Sequence, residues 1–356
     1  MRIMNVMGGA RQGGAETYFT DLVTALHRAG VEQQVVIRRN PERARLLRDH
    51  GIEPIELPFG GLLDLTTRLR LRRIVAEFRP DVVQAWMNRA ARFVPAGAYA
   101  RIGWMGGYYD LKYYRGYDWL AVVTPDQASY VTKAGWSADR VRVLRVLAAD
   151  TPAPPADRSA LGTPEGAPLL LALARLHPKK GIDVLLNAMP LLPECHLWIA
   201  GEGPIRAELE ALAAKLGLGD RVRFLGWRND RAALLAACDV CVFPSRYEPF
   251  GAVTIEAWAH GRPLVAAAAS GPAATITDGR NGLLVPIDDH AALAAAIRRV
   301  VDSPDLRDRL VENGRATYLA EFTEAKVVES YLNFYREVVA SAGRRPGQAR
   351  TSSSSS

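Results

Sequence analysis

Residues 169–200 open on Leu169-Leu170-Leu171-Ala172-Leu173-Ala174, an unbroken apolar run, and close on a second one, His196-Leu197-Trp198-Ile199-Ala200. Between them lie Arg175-Leu176-His177-Pro178-Lys179-Lys180-Gly181 and an amphipathic stretch over 182–189. A short apolar run bounded by turn residues reads as a strand buried on both faces, and strand, helix and strand in succession make a parallel crossover. The alternation continues downstream, with helices expected over 205–216, 230–237 and 251–260 and strands over 222–225, 240–243 and 263–267. It is repeated upstream, with strands expected over 2–7, 34–37, 82–85 and 119–123 and helices over 15–28 and 125–133. The expected fold class is α/β: two Rossmann-like, doubly wound parallel-sheet domains facing across a cleft, with ligands beyond the carboxyl ends of the strands.

A length of 356 residues suits two domains. The composition shift at Asp150-Thr151-Pro152-Ala153-Pro154-Pro155 places the first domain over 1–150, a linker over 151–167 and the second domain over 168–322. The last residues, 343–356, are Gly, Pro, Arg and Ser and are expected to be a disordered tail. No apolar run nears the ~18 residues of a membrane span, and the first residues lack the apolar core of a secretory signal, so cytoplasmic residence is expected. The three cysteines, Cys195, Cys238 and Cys241, make no disulfide framework. The Cys238-Asp239-Val240-Cys241 pair reads as the rim of a buried strand rather than a redox or zinc motif.

The net charge of +7 sits wholly in the first half: residues 1–150 hold 22 Lys and Arg against 15 Asp and Glu, and residues 151–356 balance at 23 of each. Within it, residues 62–75 mix leucines and arginines (68, 70, 72 and 73) at helical spacing. Such a surface suits an anionic membrane or an acidic glycan, or else it is a solvated helix whose arginines meet nearby acids. No zinc-finger or RNA-recognition motif accompanies the charge, so nucleic acid is not an expected partner.

Four loops at expected strand ends could carry chemistry. Gly8-Gly9-Ala10-Arg11-Gln12-Gly13-Gly14-Ala15-Glu16 lets backbone approach a ligand, or is a plain tight turn; it is neither a P-loop nor a Gly-x-Gly-x-x-Gly. Gly201-Glu202-Gly203-Pro204-Ile205-Arg206 has arginine in place of the third glycine, which argues against a dinucleotide site. Arg175 and Lys180 are spaced to converge on a phosphate or diphosphate, the alternative being a basic surface turn. Glu248 lies before a helix and Glu256 inside it, in Pro244-Ser245-Arg246-Tyr247-Glu248-Pro249-Phe250-Gly251-Ala252-Val253-Thr254-Ile255-Glu256. At ~1.5 Å rise per residue they need not act as a paired acid and base. One suits sugar hydroxyls and the other a ribose diol, with helix N–H groups at 250–252 toward phosphate.

Taken in order, Gly13-Gly14-Ala15-Glu16, Arg175-x4-Lys180-Gly181, Glu248-x7-Glu256 and Asp278-Gly279-Arg280-Asn281-Gly282-Leu283-Leu284-Val285 resemble the family-four retaining glycosyltransferases of the two-Rossmann-domain (GT-B) type. The resemblance spans nearly the whole chain and is strongest over 170–300. It implies a C-terminal donor domain for a nucleotide-diphospho-sugar, an N-terminal acceptor domain, and a final helix over 323–342 that packs back on the first domain. Arg175, Lys180 and Glu248 would be the catalytic set, the cations on the diphosphate and Glu248 on the sugar. Glu256 would take the ribose, while Phe250, Gly251 and Val253 would lie near sugar and phosphate. Gly203 and the turn Gly226-Trp227-Arg228 would shape the nucleoside pocket, and Gly13 and Gly14 would approach the donor across the cleft.

The resemblance further implies a nucleotide sugar as co-substrate with no metal or other cofactor, and a saccharide or lipid-linked acceptor. Where many relatives carry a histidine near the reacting centre, this chain has Gly106-Gly107-Tyr108-Tyr109-Asp110, so Tyr109 or Asp110 stands in that place. Asn88, Arg89 and Arg92 are acceptor candidates. This tyrosine run and Gln84-Ala85-Trp86-Met87-Asn88-Arg89 look like bacterial transferases of envelope polysaccharide or lipopolysaccharide core. The rival readings are a nucleotide-sugar epimerase or isomerase of the same fold, and a non-catalytic nucleotide-sugar-binding protein.

Overall fold

The computed structural model describes residues 1–11, 13–61 and 63–342; the expected tail over 343–356 lies outside the described residues. The chain forms two compact units. One comprises 1–123, 127–144 and the chain from Val328, and the other comprises 145–327 with 124–126.

In the first unit, β1 (Arg2–Met7), β2 (Glu32–Arg38), β3 (Ile55–Leu57), β4 (Val82–Trp86), β5 (Ala100–Met105), β6 (Trp119–Val122) and β7 (Val141–Val143) form a sheet in the order β3-β2-β1-β4-β5-β6-β7. Every pairing is parallel. Such strands are buried on both faces, which is why Met4, Val6, Val36, Val83 and Leu120 read as apolar runs and form one core.

Several elements here escape a reading by periodicity. β3 and β7 have three residues each, and β5 carries Arg101 and Gly103. Gly103 is needed because a Cβ would stand 2.3 Å from the Tyr114 ring, so that ring packs flat on the strand. The helix Pro41–Asp49 is not among the expected elements, though Asn40-Pro41 carries its start signal: the Asn40 side chain caps it by accepting from the Arg43 N–H at 3.1 Å, and proline suits the first helical position.

The final helix, Glu324–Ala342, joins the first unit from Val328 onward. Buried tyrosines pin it. Tyr18 Oη donates to Tyr331 Oη and Trp104 Nε1 donates to the same oxygen, each at 3.1 Å, while Tyr335 Oη donates to Gln84 Oε1 at 3.0 Å. A buried hydroxyl without a partner costs about 1–3 kcal/mol, so this ladder sets the helix in one register.

In the second unit, β8 (Leu169–Leu173), β9 (His196–Ala200), β10 (Val222–Gly226), β11 (Val240–Phe243), β12 (Leu264–Ala267) and β13 (Leu283–Val285) are ordered β10-β9-β8-β11-β12-β13, again all parallel. Residues 151–167 carry no helix or strand, yet they are tied to this unit rather than forming a free linker. Ala156 N–H donates to Ala233 O at 3.0 Å, Arg158 pairs with Asp239 at 2.8 Å, and Trp198 Nε1 donates to Thr163 Oγ1 at 2.9 Å. Cys238 and Cys241 are fully buried at β11, and burial pushes the Cys238 thiol up to about 12, which leaves it inert.

Candidate functional site

Both sheets reverse strand order once, at β1/β4 and at β8/β11, and beside such a reversal the connections leave toward opposite sides and open a crevice. Lys180 follows β8 and Glu248 follows β11, so they flank the crevice of the second unit although 68 residues separate them. Lys180 Nζ donates to Glu248 Oε2, both side chains being largely covered at 19% and 14% exposure.

The loops that carry them are fastened backbone to backbone. Arg246 and Tyr247 N–H both donate to Lys179 O, at 2.9 and 3.1 Å, and a Cβ on Gly181 would stand 2.1 Å from Pro244 O. From the β12 side, Gly271 N–H donates to Glu248 O at 2.8 Å. Lys180 itself ends a 3-10 turn, Pro178–Lys180, capped by His177 Nδ1 accepting from Lys179 N–H at 3.2 Å.

Arg175 stands exposed on the same β8 loop, and its guanidinium has no ion-pair partner among the described residues. Phe250, Gly251 and Val253 enter the helix Ala252–Ala259, with Gly251 in the left-handed region at φ 85° as its cap. No side chain caps this helix, so its first N–H groups, at Ala252 and Val253, lack intrahelical acceptors and offer partial positive charge. The structure therefore pairs Lys180 with Glu248, sets the 250–253 turn directly after Glu248, and leaves Arg175 exposed on the β8 loop, beside the loop after β9.

Glu256 sits one turn inside that helix with its side chain 17% exposed, and Arg231 donates to its carboxylate. Burial pushes the Glu256 carboxyl above its usual range, while the Arg231 charge pulls the other way. Arg231 has no local motif that would single it out.

Gly203 and Gly201 are required by packing: a Cβ would stand 2.1 Å from Leu176 O at the first and 1.9 Å from Ala174 O at the second. These contacts press the β9 loop against the β8 loop that carries Arg175. Arg206, in place of a third fingerprint glycine, is engaged with Glu202 and Glu210. At the end of β10, Gly226 turns at φ 68°, and Trp227 is 44% exposed, its Nε1 donating to Asn229 Oδ1 at 3.0 Å. Arg228 is paired with Asp230 at 2.5 Å, and that pairing raises the arginine above its ordinary value.

Two further roles lay outside the reach of local pattern. Arg246 makes a bidentate contact to Asp183 at 2.7 and 2.5 Å, reaches Asp288 at 2.5 Å and donates to Pro178 O at 2.7 Å. It thereby ties the Lys180 turn to the β11 loop. In the 278–285 stretch, Asn281 O accepts from Trp258 Nε1 at 2.7 Å and Asn281 Oδ1 accepts from Thr277 N–H at 2.8 Å. Asp278 Oδ1 accepts from Leu284 N–H at 2.9 Å, so this motif holds its own turn before β13 and, through Trp258, the Glu256 helix.

In the first unit, Gly13 and Gly14 begin the helix Gly14–Arg28, after the loop that follows β1. The buried Glu16 folds back on that loop, accepting from Ala10 N–H at 2.7 Å, and Cβ atoms on Gly9 and Gly13 would strike its carboxylate. Asn88 and Arg89 follow β4 across the sheet reversal, where Gly8 approaches Arg89 so closely that a Cβ would stand 3.1 Å from its side chain. Arg92 lies over the Tyr113 ring at 5.6 Å. Tyr109 and Asp110 adjoin that ring, Asp110 capping the short helix Leu111–Tyr114 that carries Tyr113. They line a pocket of about 800 Å³ with Tyr130, Trp136 and Arg140, and Asp110 is committed to Lys112, whose N–H it caps at 3.0 Å and whose ammonium lowers its carboxyl.

The two parallel sheets, each reversing its strand order once, define a double Rossmann protein of the GT-B class. Residues 12–145 match the family described as Glycosyltransferase Family 4, and residues 155–317 match Glycosyl transferases group 1. The lipopolysaccharide core biosynthesis glycosyltransferase LpsD of Rhizobium meliloti is 39% identical over 345 residues, 96% of this chain and 99% of that one. LpsE of the same organism is 36% identical over 90% of this chain and 95% of its own. Anabaena HepE, crystallised with UDP-glucose, superposes with a TM-score of 0.83 at 22% identity, covering 95% of this chain and all of that one. The chain belongs to glycosyltransferase family 4, and it is a glycosyltransferase.

Proposed function

We propose that the protein moves a sugar, with retention of anomeric configuration and without a metal, from a nucleotide-diphospho-sugar to a saccharide or lipid-linked acceptor of bacterial lipopolysaccharide core or envelope polysaccharide. The observation that carries this reading is the Lys180–Glu248 pair at the β8/β11 reversal, with an exposed arginine, Arg175, on the same β8 loop as Lys180. Cleavage of the bond between the anomeric carbon and the phosphate oxygen leaves both electrons on the departing diphosphate. Lys180, Arg175 and the helix start at 252–253 are arranged to stabilise that growing charge. The acceptor oxygen bonds to the same face of the anomeric carbon, and its proton passes to the departing phosphate oxygen, so no enzyme nucleophile is consumed. Glu248 orients the sugar hydroxyls, Glu256, steadied by Arg231, takes the ribose, and the exposed Trp227 suits a base.

The likeness to LpsD and LpsE over nearly their whole lengths supports the choice of acceptor class. The test incubates the full chain with UDP-glucose and other nucleotide sugars and a core oligosaccharide, with and without excess EDTA, and reads the product anomer by proton NMR. Transfer with retention that survives EDTA is expected. An inverted product, or activity lost to EDTA and restored by Mg²⁺, overturns the mechanism. Release of free sugar without acceptor product favours the epimerase or isomerase reading.

No described helix is long and apolar enough to cross a membrane. We place the acceptor at an anionic membrane surface on the cytoplasmic side, reached through the helix Leu65–Phe78. Leu63, Leu65 and Leu69 are 91%, 66% and 63% exposed; Leu62 lies outside the described residues. Arg73 pairs with Glu77 and Arg68 lies over Phe93, while Arg70 and Arg72 have no acidic partner among the described residues. Near an anionic surface each basic residue contributes about 1 kcal/mol, and the leucines add burial. Wild type is expected to float with vesicles containing 30% (about a third) anionic lipid and not with neutral ones. Leu65→Gln/Leu69→Gln/Arg70→Gln/Arg72→Gln should lose about tenfold or more in partitioning; unchanged flotation rejects this surface.

A further inference from the structure

We infer that the first unit holds a dedicated oxyanion subsite, built between the loops after β1 and β2, that takes a phosphate or carboxylate group of the acceptor glycan. The inference rests on the glycosyl-transfer reading above. The site is a pocket of about 650 Å³ at the carboxyl ends of these two strands, lined by Arg11, Arg38, Arg39, Asn40, Glu42 and Arg43 among others.

Its inner wall is rigid. Arg43, in the first turn of the helix Pro41–Asp49, is only 5% exposed, and its Nη2 donates to Ala10 O and Arg11 O, each at 3.1 Å. Asn40 Nδ2 donates to Arg11 O at 2.9 Å and so clamps the same loop from the other side. The remaining amino group of Arg43, Nη1, is buried without any hydrogen-bond partner. A buried guanidinium donor left unpaired is costly, and its charge, held at the wall of a pocket that Arg43 lines, favours an oxyanion there.

The charge around the pocket points the same way. Arg11, Arg38 and Arg39 have no carboxylate partner among the described residues, and Arg89 lies within reach of the Arg38 field. Arg89 is lowered from its ordinary value by burial first and then by the charges of Arg38 and Arg92. Of the nearby acids, Glu16 is held by Ala10 N–H, and Glu56 accepts from Asn40 N–H at 3.0 Å and faces Arg48 at 3.8 Å. The charges of Glu16 and Glu42 both reach Arg43, so two carboxylates stand against the four lining arginines and the excess is positive. Like charges gathered around a concavity raise one another's free energy until an anion offsets them. Planar guanidinium groups suit phosphate and carboxylate equally, so the shared chemistry is an oxyanion.

The experiment uses the full chain and its Arg38→Ser/Arg39→Ser variant, which leaves the clamped Arg43 in place. Calorimetric titration with inorganic phosphate and, separately, with glucuronate at fixed ionic strength should show saturable binding of at least one to wild type. The stronger of the two identifies the source, phosphate ester or acidic sugar. The variant should bind it about tenfold more weakly, the effect of a lost charge-assisted hydrogen bond. In transfer assays the preference in kcat/KM for an acidic core oligosaccharide over the same glycan dephosphorylated and carboxyl-reduced should fall by about tenfold, with the change in KM. No binding of either anion to wild type, or an unaltered acceptor preference in the variant, overturns the subsite. A titration with the nucleotide diphosphate of the donor reports on the second unit separately. Anion binding without any glycosyl transfer would therefore sink the transfer reading and leave the pocket assigned.

Discussion

Lys180→Ala is expected to lower kcat by about a hundred- to a thousandfold, the loss that follows removal of one group stabilising developing negative charge. The ammonium is set for this role by an element that does not depend on it. The 3-10 turn Pro178–Lys180 is capped by His177 and held by main-chain bonds from 246 and 247, so truncating the side chain leaves the loop standing. Its stem passes near Phe243, with Nζ 5.8 Å from the ring centre, and contributes little to the core.

The variant should nevertheless melt lower. Glu248, 14% exposed beside Lys180, would lose its cation, and a largely covered carboxylate left unpaired is destabilising. Lys180→Met/Glu248→Gln separates the two effects, because removal of both charges relieves the unpaired carboxylate. Its melting point should recover toward wild type while turnover stays low. Donor-consumption kinetics and thermal melts on the three proteins decide the matter. Turnover of Lys180→Ala within threefold (about 0.6 kcal/mol) of wild type would remove Lys180 from the leaving-group role.

Gly181→Ala should be the second large effect, and its size can be isolated by comparison with Gly217→Ala. Both glycines sit in the left-handed region, at φ 64° and 65°, so each substitution carries the same backbone penalty of roughly 1–2 kcal/mol. Around Gly217 a Cβ meets nothing within 4 Å, whereas at Gly181 it would stand 2.1 Å from the carbonyl oxygen of Pro244. That neighbour is backbone, fixed at the end of β11, and cannot swing aside as a side chain would. The β8 and β11 loops must part, and with them Lys180 and Glu248. Gly217→Ala is expected to cost only the common penalty and to keep its transfer rate. Gly181→Ala should lose a further ~1–3 kcal/mol by denaturant unfolding and fall at least tenfold in kcat/KM. Equal stability and activity in the two variants would show that the close loop approach does not hold the site together.

The candidate residues were legible in unequal degree. Arg175, Lys180, Glu248 and Glu256 could be picked out because a strand end, a helix start and a charge of the right sign coincide within a few residues of each. Gly203 was legible as a glycine at a strand end, but its reason, a carbonyl 2.1 Å away on the neighbouring loop, was not. Tyr109 and Asp110 are grouped with Asn88, Arg89 and Arg92 by sequence; the structure sets them on the element that Arg92 faces, where they line a pocket of their own and Asp110 is engaged by Lys112. Arg231 carries no local signal, and Arg246, though inside the Pro244–Gly251 stretch, carries none for its role. Each is an ordinary surface arginine until the fold sets Glu256 beside the one and Asp183 and Asp288 beside the other.

Taken alone, the order of residues determined that this protein is built from parallel strands and intervening helices in two successive sets, because continuous apolar runs and helical periodicity are local properties. It also determined which side chains could bear charge at the strand ends, and that all the excess positive charge lies in the first half. Only the tertiary structure decided which of those charges meet. Lys180 and Glu248 become partners because β8 and β11 are neighbours in the sheet while β9 and β10 lie on the other side. Strand order is fixed by packing across the whole sheet, and an ion pair depends on distances of a few ångströms between segments far apart in the chain, a quantity that no local pattern encodes.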